Sequence, residues 1–79
     1  METRNELLEI LSDLHPDIDF ENEDELVTGK ILDSFDLVSL VTEIDNAFEI
    51  EITAADLLPE NFDSLDAITE LVERKLEEF

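Results

Sequence analysis

Apolar side chains recur at the three- and four-residue steps of an α-helix in three separate stretches of this chain. The first holds Leu7, Leu8, Leu11 and Leu14. The second holds Leu37, Leu40, Val41, Ile44, Ala47 and Phe48, and the third Leu65, Ile68, Leu71, Val72, Leu76 and Phe79. A helix that is apolar along one side only must cover that side, and three such helices cover one another. The first helix should stop before His15-Pro16, because the residue preceding a proline is pushed out of helical geometry. The expected fold is therefore all-α, a small bundle of three main helices plus one short helix. Residues 1–79 form a single domain, which at this size buries roughly 60% of the surface of the unfolded chain.

The short helix is expected in the connector before the third stripe. Thr53-Ala54-Ala55-Asp56 resembles a capping box opening one turn of helix, which Leu57-Leu58-Pro59 would close. Ahead of it, Phe48-Glu49-Ile50-Glu51-Ile52 alternates like a strand but has no partner strand. It reads as an extended connector with Ile50 and Ile52 pointing inward. Either Asp63 or Ser64 can cap the last helix. The acidic stretch from Asp17 to Lys30 exceeds an ordinary helix–helix connection, so it is either functional or contains a short helical turn. Its apolar residues Ile18, Phe20, Leu26 and Val27 are expected to pack on the bundle.

Charge narrows the function. Twenty-four Asp and Glu oppose four Lys and Arg, a formal net charge of -20, while 43% of residues are hydrophobic. That apolar content is ordinary for a globular domain and separates the chain from acidic disordered tails. The charge argues against nucleic acid and against anionic membranes as partners, since both require a basic surface. It favours partners with basic docking faces, and predicts stabilisation by salt or divalent cations. There is no cysteine, hence no disulfide or thiolate zinc site in the polypeptide. No apolar run reaches transmembrane length, and residues 1–6 lack the basic start and apolar stretch of a signal peptide. A cytoplasmic monomer is expected.

Around the second stripe, a helical wheel places Asp36, Ser39, Glu43 and Asn46 on a polar face beside the apolar arc. Val38 falls outside that arc, near Thr42 and Asp45, and is a candidate docking spot. Asp33-Ser34 opens this helix, where unpaired N–H groups and the helix dipole favour an anion such as a phosphate ester on the Ser34 hydroxyl. Asp63-Ser64 opens the third helix in the same way, and spacing does not rank the two serines; either pair can simply be a cap. Surroundings favour Ser34: between Lys30 and Arg74 lie twelve acidic residues and no basic one, a field that steers a basic enzyme.

The run Ile31-Leu32-Asp33-Ser34-Phe35-Asp36-Leu37-Val38-Ser39-Leu40-Val41-Thr42-Glu43-Ile44-Asp45-Asn46-Ala47-Phe48 resembles the signature region of the acyl and peptidyl carrier protein family. The likeness continues through Ile50, Ile52, Thr53 and the final helix. It implies an acyl-carrier-like four-helix bundle in which Ser34, rather than Ser64, carries 4'-phosphopantetheine derived from coenzyme A. The arm would hold an acyl or aminoacyl group as a thioester, for fatty acid or secondary metabolite biosynthesis. A chain without cysteine thereby acquires a thiol from its cofactor. The implied partners are a phosphopantetheinyl transferase, an acyl- or aminoacyl-activating ligase, and downstream transferases or synthases. Asp33, Phe35, Asp36, Ser39 and Glu43 match positions that meet partner enzymes in the family. Ser39 and Phe35 differ from the acidic residue and the leucine common in fatty-acid carriers. Gly29 to Phe35 is also similar to D-alanyl carrier proteins. Sheltering a long acyl chain would require a cavity among Leu40, Ile44, Ile52, Leu57 and Ile68.

Other chemistries fit poorly. Asp17, Asp19 and Glu21 begin like a calcium loop, but Asn22 stands where its glycine belongs and Thr28 where its bidentate glutamate belongs. His15, the single histidine, is expected to end the first helix and has no evident link to a Ser-His-Asp arrangement. Gly29, the single glycine, reads as a turn before the signature and cannot make a phosphate-cradling loop. The chain is therefore expected to be a non-catalytic carrier without a metal site. The competing reading is an unmodified acidic interaction domain, either a nucleic-acid mimic or a cation buffer.

Overall fold

A computed structural model describes residues 3–77. Among them the chain is all helical: α1 Thr3–Leu14, α2 Ser34–Phe48, a 3-10 turn Ala54–Asp56, α3 Pro59–Phe62 and α4 Leu65–Glu77. The three stripes become the three long helices. Leu7 and Leu11 of α1, Leu40 and Ile44 of α2, and Leu65, Ile68, Leu71 and Val72 of α4 are buried in one core. α1 packs against both α2 and α4, and α3 lies on α4. No polar or charged side chain is buried among the described residues. Phe79, placed in the third stripe from its spacing, lies outside the described residues. Ala47, also assigned to an apolar stripe, is exposed; a methyl at the edge of the arc is too short to reach the core.

The chain from His15 to Asp33 contains turns and no helix. Phe20, Leu26 and Leu32 plug it into the core at 1%, 0% and 2% exposure, while Ile18 and Val27 are half-buried against it. Its backbone is held from α4's side of the bundle. Leu26 N–H donates to the Asp63 carbonyl at 2.9 Å. The Asp63 carboxylate accepts from Val27 N–H (2.9 Å), Thr28 N–H (2.8 Å) and the Thr28 hydroxyl (2.6 Å). The Thr28 hydroxyl, then the backbone donors, hold the Asp63 carboxyl below its ordinary range. Asp63 is thus committed to the loop, and Ser64 caps α4 by accepting from Ala67 N–H at 3.0 Å.

Gly29 does sit in a turn, but the left-handed residue there is Lys30, with φ 62°. Glycine is required by space: a Cβ at position 29 would lie 2.6 Å from the Glu25 carbonyl oxygen, whose partner is the Gly29 N–H at 2.7 Å. The turn then returns Leu32 N–H to the Leu26 carbonyl at 2.8 Å, which delivers the chain to the start of α2.

After α2, Glu49 in left-handed geometry ends the helix, its N–H donating to the Asp45 carbonyl. Asp45 Oδ1 accepts from Ile52 N–H at 3.1 Å, so the connector runs extended with Ile50 and Ile52 buried at 7% and 8% exposure. Thr53 and Asp56 form the expected capping box over the 3-10 turn. Pro59, however, opens α3 from its first position instead of closing the preceding turn. A proline's fixed φ and missing N–H suit that place.

Candidate functional site

The site is built on the N-terminus of α2. Asp33 is the N-cap, with extended backbone, and accepts from Asp36 N–H at 2.8 Å. Asp36 returns the contact by accepting from Asp33 N–H at 3.3 Å. Two of the helix's orphan donors are satisfied reciprocally, with aspartate in the place usually held by glutamate. Ser34 is the first helical residue. It is exposed, and its hydroxyl makes no hydrogen bond among the described residues. The Ser34 and Phe35 N–H groups likewise have no partner among the described residues, leaving the positive end of the dipole beside that hydroxyl. The other candidate differs: the Ser64 oxygen is half-buried and occupied as a cap.

Flanking residues present an exposed apolar spot on an acidic helix. Phe35 is 77% exposed and Val38 62% exposed, one turn apart on α2. Asp33 and Glu43, at the start and in the second half of α2, are exposed, whereas Ser39 and Asp36 are half-buried. Asp36 is also engaged from the residue just after α1: its Oδ1 lies 2.9 Å from His15 Nε2. That distance is one of an ion pair when the imidazole is protonated, but the ring N–H is not aimed for a hydrogen bond. His15 first, then the Asp33 N–H, hold the Asp36 carboxyl below its ordinary range against the cost of desolvation. The histidine does not reach a serine. It braces the capping box of α2, a pairing with no local sequence signal because the partners lie 21 positions apart.

A second carboxylate is fixed between the 3-10 turn and α4. Asp56 accepts from Lys75 Nζ at 2.6 Å and from the Thr53 N–H and hydroxyl, each at 3.0 Å. Lys75 foremost, then the Thr53 N–H, lower its carboxyl to about 2. Leu40, Ile44 and Ile68 are fully buried in the packed core, and Leu57 is 43% exposed. Leu57 therefore faces outward and is no wall of an interior cavity. No three His, Cys, Asp or Glu side chains among the described residues converge into a metal-holding group. No described helix is long and apolar enough to cross a membrane. No family model matches the chain, and no curated protein matches it in sequence.

Proposed function

We propose that the protein is a carrier in which Ser34 bears a 4'-phosphopantetheine arm. The observation that carries the reading is the contrast between its two helix-opening serines. Ser34 Oγ is exposed and uncommitted, while Ser64 Oγ already accepts a hydrogen bond from its own helix. Ser34 Oγ would attack the pantetheine-bearing phosphorus of coenzyme A and lose its proton to the transferase, the P–O–P bond breaking to release adenosine 3',5'-bisphosphate. The Ser34 and Phe35 N–H groups and the α2 dipole would then stabilise the ester's negative charge. Bound there, the arm supplies the thiol that holds an acyl or aminoacyl group as a thioester. Asp33 and Asp36 keep the first turn rigid so that the arm leaves from a fixed point. Exposed Phe35 and Val38, on a helix that also exposes Asp33 and Glu43, offer a basic enzyme an apolar contact inside a complementary field.

Intact-mass spectrometry after incubation with coenzyme A and a broad-specificity phosphopantetheinyl transferase tests this. The expected result is one phosphopantetheinyl increment, lost in Ser34→Ala and kept in Ser64→Ala. No increment on the native chain, or one that persists in Ser34→Ala, refutes the proposal.

A further inference from the structure

Between α1 and α2 runs a groove of about 230 Å³, lined by Ile10, Asp13 and Leu14 of α1 and Glu43 of α2. Ile10 and Leu14, one turn apart and half-buried against the core, provide apolar surface. Asp13 and Glu43 are exposed, and neither has an ion-pair or side-chain hydrogen-bond partner among the described residues. Among the described residues no lysine or arginine lines the groove. Arg4 is paired with Asp66 and Glu21, and Lys75 with Asp56. Arg74 lines a different cleft, of about 350 Å³, among Glu60, Glu70, Glu73 and Glu77. That larger cleft thus carries its own counter-charge, and the α1–α2 groove does not.

We propose that this groove takes an arginine side chain of the phosphopantetheinyl transferase that loads Ser34, extending the docking surface from α2 onto α1. The inference rests on the carrier reading. A long cationic side chain can lay its methylene stem on Ile10 and Leu14 while its head meets the carboxylates. Arginine fits better than lysine because its planar guanidinium presents donors on several edges and gives up water more readily. With each residue adding about 1.5 Å along a helix, Glu43 stands roughly 13 Å from Ser34 down α2. A patch of roughly 800 Å², the area one partner covers in a standard interface, is about 30 Å across and spans that distance. The volume, equal to the share of about eight waters at roughly 30 Å³ each, has room for one long side chain.

The test combines kinetics with a titration. With a transferase that modifies the wild-type chain, Asp13→Lys is expected to raise KM for the carrier about tenfold with kcat unchanged, because it removes attraction and adds repulsion at docking. Asp17→Lys, an equal change of net charge on an exposed residue outside the groove, is expected to change KM less than about twofold. Circular dichroism checks that both variants remain helical. Equal effects of the two variants, or none, overturn the groove while leaving Ser34 modification intact. If the wild-type chain is not modified at all, the carrier reading itself falls, and this proposal with it. Independently, butylguanidinium is expected to shift the methyl NMR signals of Ile10 and Leu14 saturably, and less so in Asp13→Asn/Glu43→Gln. Shifts spread evenly over all acidic faces overturn the proposal.

Discussion

Replacing Asp56 by asparagine removes a charge but hardly any volume, at a point where the structure stabilises the ionised form. The carboxyl falls from 3.8 to about 2 in the folded chain, chiefly through Lys75 and then the Thr53 N–H. At about 1.36 kcal/mol per pKa unit, this corresponds to at most about 2.4 kcal/mol at neutral pH. Asp56 and Lys75 keep 20% and 17% of their side-chain surface in water, so screening reduces the expected loss to about 1–2 kcal/mol. The sign follows from the lowered folded pKa. The contribution is complete above the unfolded value of 3.8 and is lost as pH falls through about 2. Urea unfolding of wild type and Asp56→Asn should therefore differ by about 1–2 kcal/mol at pH 7 and by roughly a sixth of that at pH 2. Taking the difference cancels the repulsion among the other acids, which changes equally in both proteins. A difference below about 0.5 kcal/mol at pH 7, the size of a weak surface pair, refutes the reasoning. So does one that stays constant down to pH 2.

Asp63→Ala should cost about 2–3 kcal/mol, since hydrogen bonds to a charged group contribute more than neutral ones. Amide hydrogen exchange should show protection lost at Val27 and Thr28 while α2 stays protected. Gly29→Ala should destabilise by about 1–3 kcal/mol in urea unfolding, because its Cβ would meet the Glu25 carbonyl oxygen at 2.6 Å; an unchanged midpoint would show that the turn yields. Raising ionic strength from about 0.01 M to 0.15 M, which shortens the screening length from about 30 Å to 8 Å, should raise Tm in a chain of net charge -20. Differential scanning calorimetry reads this directly.

Local residue order was enough to read the helices and several of their ends. An amphipathic stripe repeats over successive turns, so a single edge residue such as Ala47 can drop out without altering the helix. Pro16 bounds α1, and the Thr53–Asp56 box was legible because capping partners lie only three residues apart. Ile50 and Ile52 were legible from alternation alone. Pro59 was misread because a proline near a helix can precede or follow it, and its φ suits either place.

At the site, sequence pattern singled out Asp33, Ser34 and Val38; spacing did not rank Ser34 against Ser64, whereas the acidic surroundings and the family resemblance favoured Ser34. What makes the two hydroxyls differ in the structure is a distant contact. Asp63 turned to the loop at Val27 and Thr28, so Ser64 was left to cap α4. The His15–Asp36 brace, and the placing of Asp13 and Glu43 on one groove between α1 and α2, likewise depend on residues far apart in the chain. Periodicity depends on neighbours within a turn and is written in the chain itself. Which side chains meet across helices depends on how the buried faces pack, and that is settled only when the core closes.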